Sequence, residues 1–150
     1  MSLSGSLLAA HIIAVAGWLG ASLVLLTVGR SLAAAGTDVA GGFFRACLSL
    51  SKRYYNIAGV IVALSGVAMV LNGQAEWGST FISIGFLAVI IGAVMGPTVF
   101  SRLFSSGIEA ADAGDGPATR AVWAKVQGGL VIDITVVIIT IAAMVERWGL

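Results

Sequence analysis

Charge is scarce in this sequence. Asp, Glu, Lys and Arg supply 10% of its 150 residues, where a soluble globular domain carries roughly a quarter. That is too little to coat a water-facing surface. Cysteine occurs once, at Cys47, which excludes an intrachain disulfide and any multi-cysteine zinc or iron–sulfur site. Histidine also occurs once, at His11 inside an apolar run, so no nucleophile–base–orienter set can be assembled. Gly-rich phosphate loops and HExxH motifs are missing. A net charge of +1 gives no field that would draw nucleic acid. The leader before the first apolar run, Met1–Ser6, has no basic residue, and the run itself is about twice the usual h-region length, so no cleavable signal peptide is expected. Hydrolytic and nucleotide chemistry are thereby disfavoured, and the chain reads as non-enzymatic.

Apolar residues fill the space that charge leaves. They make up 59% of the chain, and the mean hydropathy is +1.04. A helix needs about 20 mostly apolar residues to cross a bilayer core, and four stretches qualify. The expected spans are about 7–28, 54–72, 80–100 and 124–146, with the second helix starting earlier, near Asp38, where Thr37 is placed to cap it. The expectation is an all-α, polytopic membrane protein: one transmembrane domain over 1–150, an up-down four-helix bundle with its partner the lipid bilayer.

The connections set its orientation. Arg30, Arg45, Lys52 and Arg53 lie between spans one and two, and Arg102, Arg120 and Lys125 between spans three and four. Only Arg147 falls at the other end. The positive-inside rule assigns the crowded side to the cytoplasm, so both termini face out. Trp77 and Trp148 then belong to the outer interface, Tyr54 and Tyr55 to the inner one. Gly107–Pro117, acidic and Gly-rich, reads as a flexible loop, and the Cys47 segment, with Phe43, Phe44, Leu48 and Leu50, as lying against the membrane surface. Pro97 reads either as a kink or as a helix end.

Small residues mark where helices in lipid approach closely. Span two aligns Asn56, Gly59, Ala63 and Gly66; span three Gly85, Gly92 and Gly96; span four Gly129, Asp133, Thr140 and Met144; span one His11, Trp18 and Ser22. The GxxxG of Gly92 and Gly96 suits packing within the chain, or a homo-oligomer surface.

Two ionisable residues fall within spans. Asp133 lies ~4 Å from the midplane by helix rise, at a depth shared by Trp18 and Ser22. A charge there costs about 2.5–3.5 kcal/mol, so Asp133 needs a partner or a proton. Two readings stay open: a structural hydrogen bond to Trp18 or Ser22, and a proton or cation site. His11 lies ~9 Å outward of the midplane by the same rise, ~13 Å from Asp133 in depth, too far for a direct pair. With Met69 and Met144, also in outer halves of their helices, it forms a candidate ligand set for copper(I) or haem b.

The run His11-Ile12-Ile13-Ala14-Val15-Ala16-Gly17-Trp18-Leu19-Gly20 resembles the first helix of the CopD-like copper-resistance group. It is similar to HemJ-type haem-biosynthesis membrane proteins and allied uncharacterised bacterial families as well. They too place a His seven residues before a Trp. The closing stretch from Val131 to Val145 is similar to the last helix of the uncharacterised relatives. The resemblance implies a bacterial inner-membrane protein whose His11 matches the haem-linked histidine of the HemJ type. With no other histidine present, a second axial ligand would be a methionine or His11 of a second protomer. Three functions follow as expectations. The leading one is a non-enzymatic accessory or scaffold component of a larger membrane complex. The alternatives are a haem- or copper-linked redox protein using His11, and a small transporter or channel using Asp133.

Overall fold

A computed structural model describes residues 2–148; Met1, Gly149 and Leu150, which complete the expected 1–150 domain and its termini, lie outside the described residues. Four long helices account for almost all of the described chain: α1 Leu3–Ala34, α2 Thr37–Leu71, α3 Thr80–Asp112 and α4 Gly116–Val145. No strand occurs among the described residues. All four helices are long and apolar enough to cross a membrane. Short turns reverse the chain after each of the first three, so neighbours run in alternate directions. Helix α1 packs along both α2 and α4, α3 packs on α4, and α2 meets α3 closely between Thr37–Leu50 and Ser101–Asp112 but sparsely between Asn56–Leu71 and Thr80–Met95.

Local chemistry explains the helix ends. The Ser2 hydroxyl accepts from the Gly5 N–H at 3.2 Å and starts α1. Asp115 caps α4 by accepting from the Ala118 N–H at 2.9 Å, with Pro117 in the first turn. Gly36 and Gly114 close the two turns nearest the basic residues at φ of 115° and 71°, a left-handed region open to glycine at little cost. The cap expected from Thr37 is instead a backbone device: Thr37 is already the first residue of the helix and Gly36 precedes it.

The helices are longer than the sequence suggested. At 32 residues, α1 spans about 48 Å, against a bilayer core of about 30 Å. The end that carries the two tight turns and the basic residues is here called the basic end. There the Gly107–Pro117 segment is not a loop. Residues through Asp112 finish α3, a three-residue turn follows, and α4 begins at Gly116. The flexible reading fails because Phe100, Phe104, Gly107 and Ala111 recur at helical spacing and turn inward, whereas composition alone registered only Gly and Asp. Cys47 and Phe44 likewise lie inside rather than at a membrane surface, sharing a core with Phe104, Trp123 and Val126, with Phe43, Leu48 and Leu50 packed around it. Glycines make room for that core. A Cβ at Gly107 would come within 2.7 Å of the Phe44 ring, and one at Gly29 would overlap Trp123 outright. Arg45 and Asp112 close the same end with an exposed ion pair at 2.7 Å.

Two wide turns interrupt the ladder. Ser51–Tyr55 in α2 and Gly96–Phe100 in α3 are π-helical, and they touch each other across the bundle. Pro97 falls inside the second. It has no N–H to donate, and α3 widens by one turn there and carries on to Asp112 rather than ending. Such turns are a frequent mark of functional sites. Tyr55 closes the first of them.

Candidate functional site

The small-residue stripes converge on two large side chains of α1. A Cβ at Gly92 would stand 2.5 Å from the Trp18 ring, and one at Gly59 3.4 Å from it. Trp18 therefore lies in a notch between α2 and α3, with Tyr55 edge-on at a centroid distance of 6.0 Å. Gly66 faces His11, with its Cβ position 3.6 Å from the ring. The Gly92 half of the GxxxG thus packs inside the chain, while Gly96 meets nothing within 4 Å.

Trp18, thus held, points its indole N–H at Asp133, 3.2 and 3.3 Å from the two carboxylate oxygens. The Ser22 hydroxyl donates to Asp133 Oδ2 at 2.9 Å. Ser22 is completely buried and Asp133 is 8% exposed. Tyr55 adds a third member, its hydroxyl 3.0 Å from Ser22 Oγ. Ser22 has one proton and gives it to the carboxylate, so Tyr55 is the donor to Ser22. The chain runs Tyr55 to Ser22 to Asp133, drawn from α2, α1 and α4. Bonds to a charged acceptor contribute about 1.5–3 kcal/mol each, so Trp18 and Ser22 together offset part of the cost of a carboxylate held away from water.

The three residues that depth arithmetic grouped, Asp133, Trp18 and Ser22, do meet. Tyr55 was assigned to the inner interface instead. Its signal lies in the sequence: Tyr55 stands four residues before Gly59 and continues that stripe. Asn56 in fact turns its side-chain amide to the Lys52 carbonyl at 2.9 Å.

Asp133 is not sealed between helices. It lines a cavity of about 360 Å³ whose wall includes Ser51, Tyr55 and Asn56 of α2 and Gly96, Pro97 and Phe100 of α3. Both π turns therefore border it.

A second, smaller cavity of about 90 Å³ lies toward the termini, with His11 and Met144 in its wall and Trp18 dividing it from the first. His11 Nδ1 is 2.9 Å from Ser65 Oγ. The Ser65 hydroxyl also reaches the Val62 carbonyl at 3.2 Å, and the Ile61 carbonyl more closely. Its single proton goes to the backbone, so Oγ accepts from the ring, and Nδ1 carries the imidazole hydrogen. Nε2 then holds a bare lone pair, buried with no partner. Met144 shares the cavity with His11, its methyl end against Gly85; Met69 does not line it. His11 and Asp133 line separate cavities, in keeping with their separation in depth. Ser65, which fixes the histidine tautomer, was not singled out from sequence, where nothing distinguishes it from other span serines. No group of three or more His, Cys, Asp or Glu able to hold a metal ion occurs among the described residues.

No protein-family model, curated protein or solved structure matches this chain.

Proposed function

We propose that this is a multi-pass protein of the bacterial cytoplasmic membrane that carries a proton or a monovalent cation by way of Asp133. The basic end faces the cytoplasm, since seven of the eight Lys and Arg residues lie toward it; the termini face out. The resemblance of the His11–Gly20 run to CopD-like and HemJ-like first helices supports the bacterial inner membrane.

One observation carries the transport reading over the accessory one. A carboxylate that served only to lock α4 to α1 would be closed in by its donors, yet Asp133 borders a cavity of about 360 Å³. Intramembrane carboxylates facing a cavity mark ion and proton paths. The Tyr55–Ser22 pair leads from the α2 side of that cavity to Oδ2, and Trp18 stands between it and the His11 cavity beyond. Protonation of Asp133 weakens its hold on the Trp18 N–H, which couples occupancy of the site to the wall between the cavities.

The test is proton flux in proteoliposomes under an imposed pH gradient, with a monovalent cation (sodium, potassium or an alkylammonium) present in the compartment opposite the protons, wild type against Asp133→Asn. The variant is expected to fall to the leak of protein-free vesicles while still folding. Flux that is equal in the two proteins overturns the reading and leaves Asp133 as a structural lock in an accessory subunit.

A second reading has its own observation, the unpartnered His11 Nε2. An oriented imidazole beside a thioether suits copper(I). Haem does not fit: an apolar cavity that takes a single benzene ring is about 150 Å³, and this one is about 90 Å³. Copper(I) titration in wild type and His11→Ala decides it, with one equivalent bound and then lost as the supporting result.

A further inference from the structure

The cavity beside Asp133 has a composition that narrows what it can take. We infer that its substrate is a monovalent organic cation, an ammonium group on an apolar or aromatic body, which exchanges with a proton at Asp133. This rests on the transport reading above and names its substrate class.

The charge count comes first. Asp133 is the one acidic side chain in the wall, and Tyr55 the one other titratable group. A single carboxylate neutralises a single positive charge. When the cation enters, the carboxyl proton leaves, and the site stays neutral throughout. A divalent ion would demand several oxygen ligands, whereas the wall holds a single carboxylate among mostly apolar side chains, and Ser22 Oγ already accepts from Tyr55.

Apart from Ser22, Ser51 and Asn56, the rest of the wall is apolar and aromatic. Trp18, Tyr55, Phe100 and Phe104 line it, with Leu25, Val60 and Val89 between them. Ammonium groups gain from aromatic faces, and more so when desolvated. A bare inorganic cation would find little there to replace its hydration shell, whereas an alkyl or aryl body gains by burial. Size agrees: about 360 Å³ is more than twice the roughly 150 Å³ that holds one benzene ring. One or two rings with a charged group fit.

Position agrees as well. The cavity lies where the Asn56–Leu71 part of α2 and the Thr80–Met95 part of α3 meet sparsely, beside the facing π turns. By the span boundaries the cavity extends from Asp133, ~4 Å from the midplane by helix rise, toward the basic end, the side from which an amphiphilic cation would enter.

Benzyltrimethylammonium is the probe. Its charge is permanent, so any pH dependence of binding belongs to the protein. Binding is measured by calorimetry in zwitterionic nanodiscs, with empty discs subtracted and the neutral isostere neopentylbenzene as control. The cation is expected to bind, weakening about tenfold per pH unit once Asp133 holds its proton, and its neutral isostere to bind without pH dependence. Asp133→Asn keeps the shape and the acceptor oxygen, and should lose at least about tenfold, equal to 1.4 kcal/mol, along with the pH dependence. Trp18→Leu should weaken binding while Trp18→Phe restores part of it. The pH competition in wild type needs no variant, so a folding defect in either does not obscure the answer. Absent binding, or binding indifferent to both pH and charge, overturns the inference. If proton flux still depends on Asp133 in that case, the substrate class falls and the transport reading stands; if flux is also unchanged in Asp133→Asn, both fall.

Discussion

Removing the Ser22 hydroxyl tests the relay geometry where it is least redundant. Ser22 is the middle member, completely buried, donating to Asp133 at 2.9 Å and accepting from Tyr55 at 3.0 Å. Ser22→Ala takes one donor from a carboxylate, a loss of about 1.5–3 kcal/mol. Tyr55→Phe removes a neutral bond, about 0.5–1.5 kcal/mol. If the bonds run in series, Tyr55 has nothing to donate to once Ser22 is alanine, and the second change adds almost nothing to the first. The double mutant should then match Ser22→Ala alone, with a coupling energy of about 1 kcal/mol. Reversible unfolding in mixed micelles, followed by circular dichroism, measures all four corners of the cycle. Strictly additive losses would refute the series arrangement and put the Tyr55 hydroxyl on some other partner.

Other positions give sharper or blander outcomes. Gly29→Ala places a methyl group inside the Trp123 ring, so it should destabilise the basic end by about 1–3 kcal/mol, read as a lower melting temperature and a shift in Trp fluorescence. Asp112→Ala breaks an ion pair whose side chains are 53% and 56% exposed, and should cost less than about 1 kcal/mol in the same assay. Cys47, in the part of α2 that precedes the span, has its thiol pushed by burial from 9.0 to about 12. It should resist maleimide at neutral pH until the protein unfolds. The sign of the linkage follows: the unfolded thiol ionises first, so this contribution is intact below pH 9.0 and is lost as pH climbs toward about 12.

Much of the site was legible because polar groups in a long apolar run have few ways to be satisfied. Asp133, Trp18 and Ser22 share a depth by helix rise alone, and a buried carboxylate has to find the donors at its own level. Glycines at Gly59, Gly66 and Gly92 showed where α1 would press in, though not that Trp18 and His11 would fill the notches. Tyr55 is legible only as the residue four before Gly59 on the same stripe; that it closes a π turn is not, because no sequence periodicity announces such a turn. The basic end was missed for another reason. Arg45, Glu109, Asp112 and Arg120 made it look like connecting loop, and the apolar recurrence through Phe44, Cys47, Phe104 and Trp123 beneath those charges went unweighed. Helices longer than a bilayer core is thick carry a further apolar face, and here α1–α4 bury it against one another. The cavities depend on where two helices fail to touch, which a single sequence does not encode in any local pattern.

The central claim is that Asp133 exchanges its proton through the cavity instead of serving as a sealed strut. Infrared titration of the protein in lipid tests it most directly, with the carboxyl band assigned by its loss in Asp133→Asn. The account predicts a band that appears as external pH is lowered and shifts on transfer to heavy water. A carboxylate that stays ionised and silent across the whole range of folded pH would contradict it.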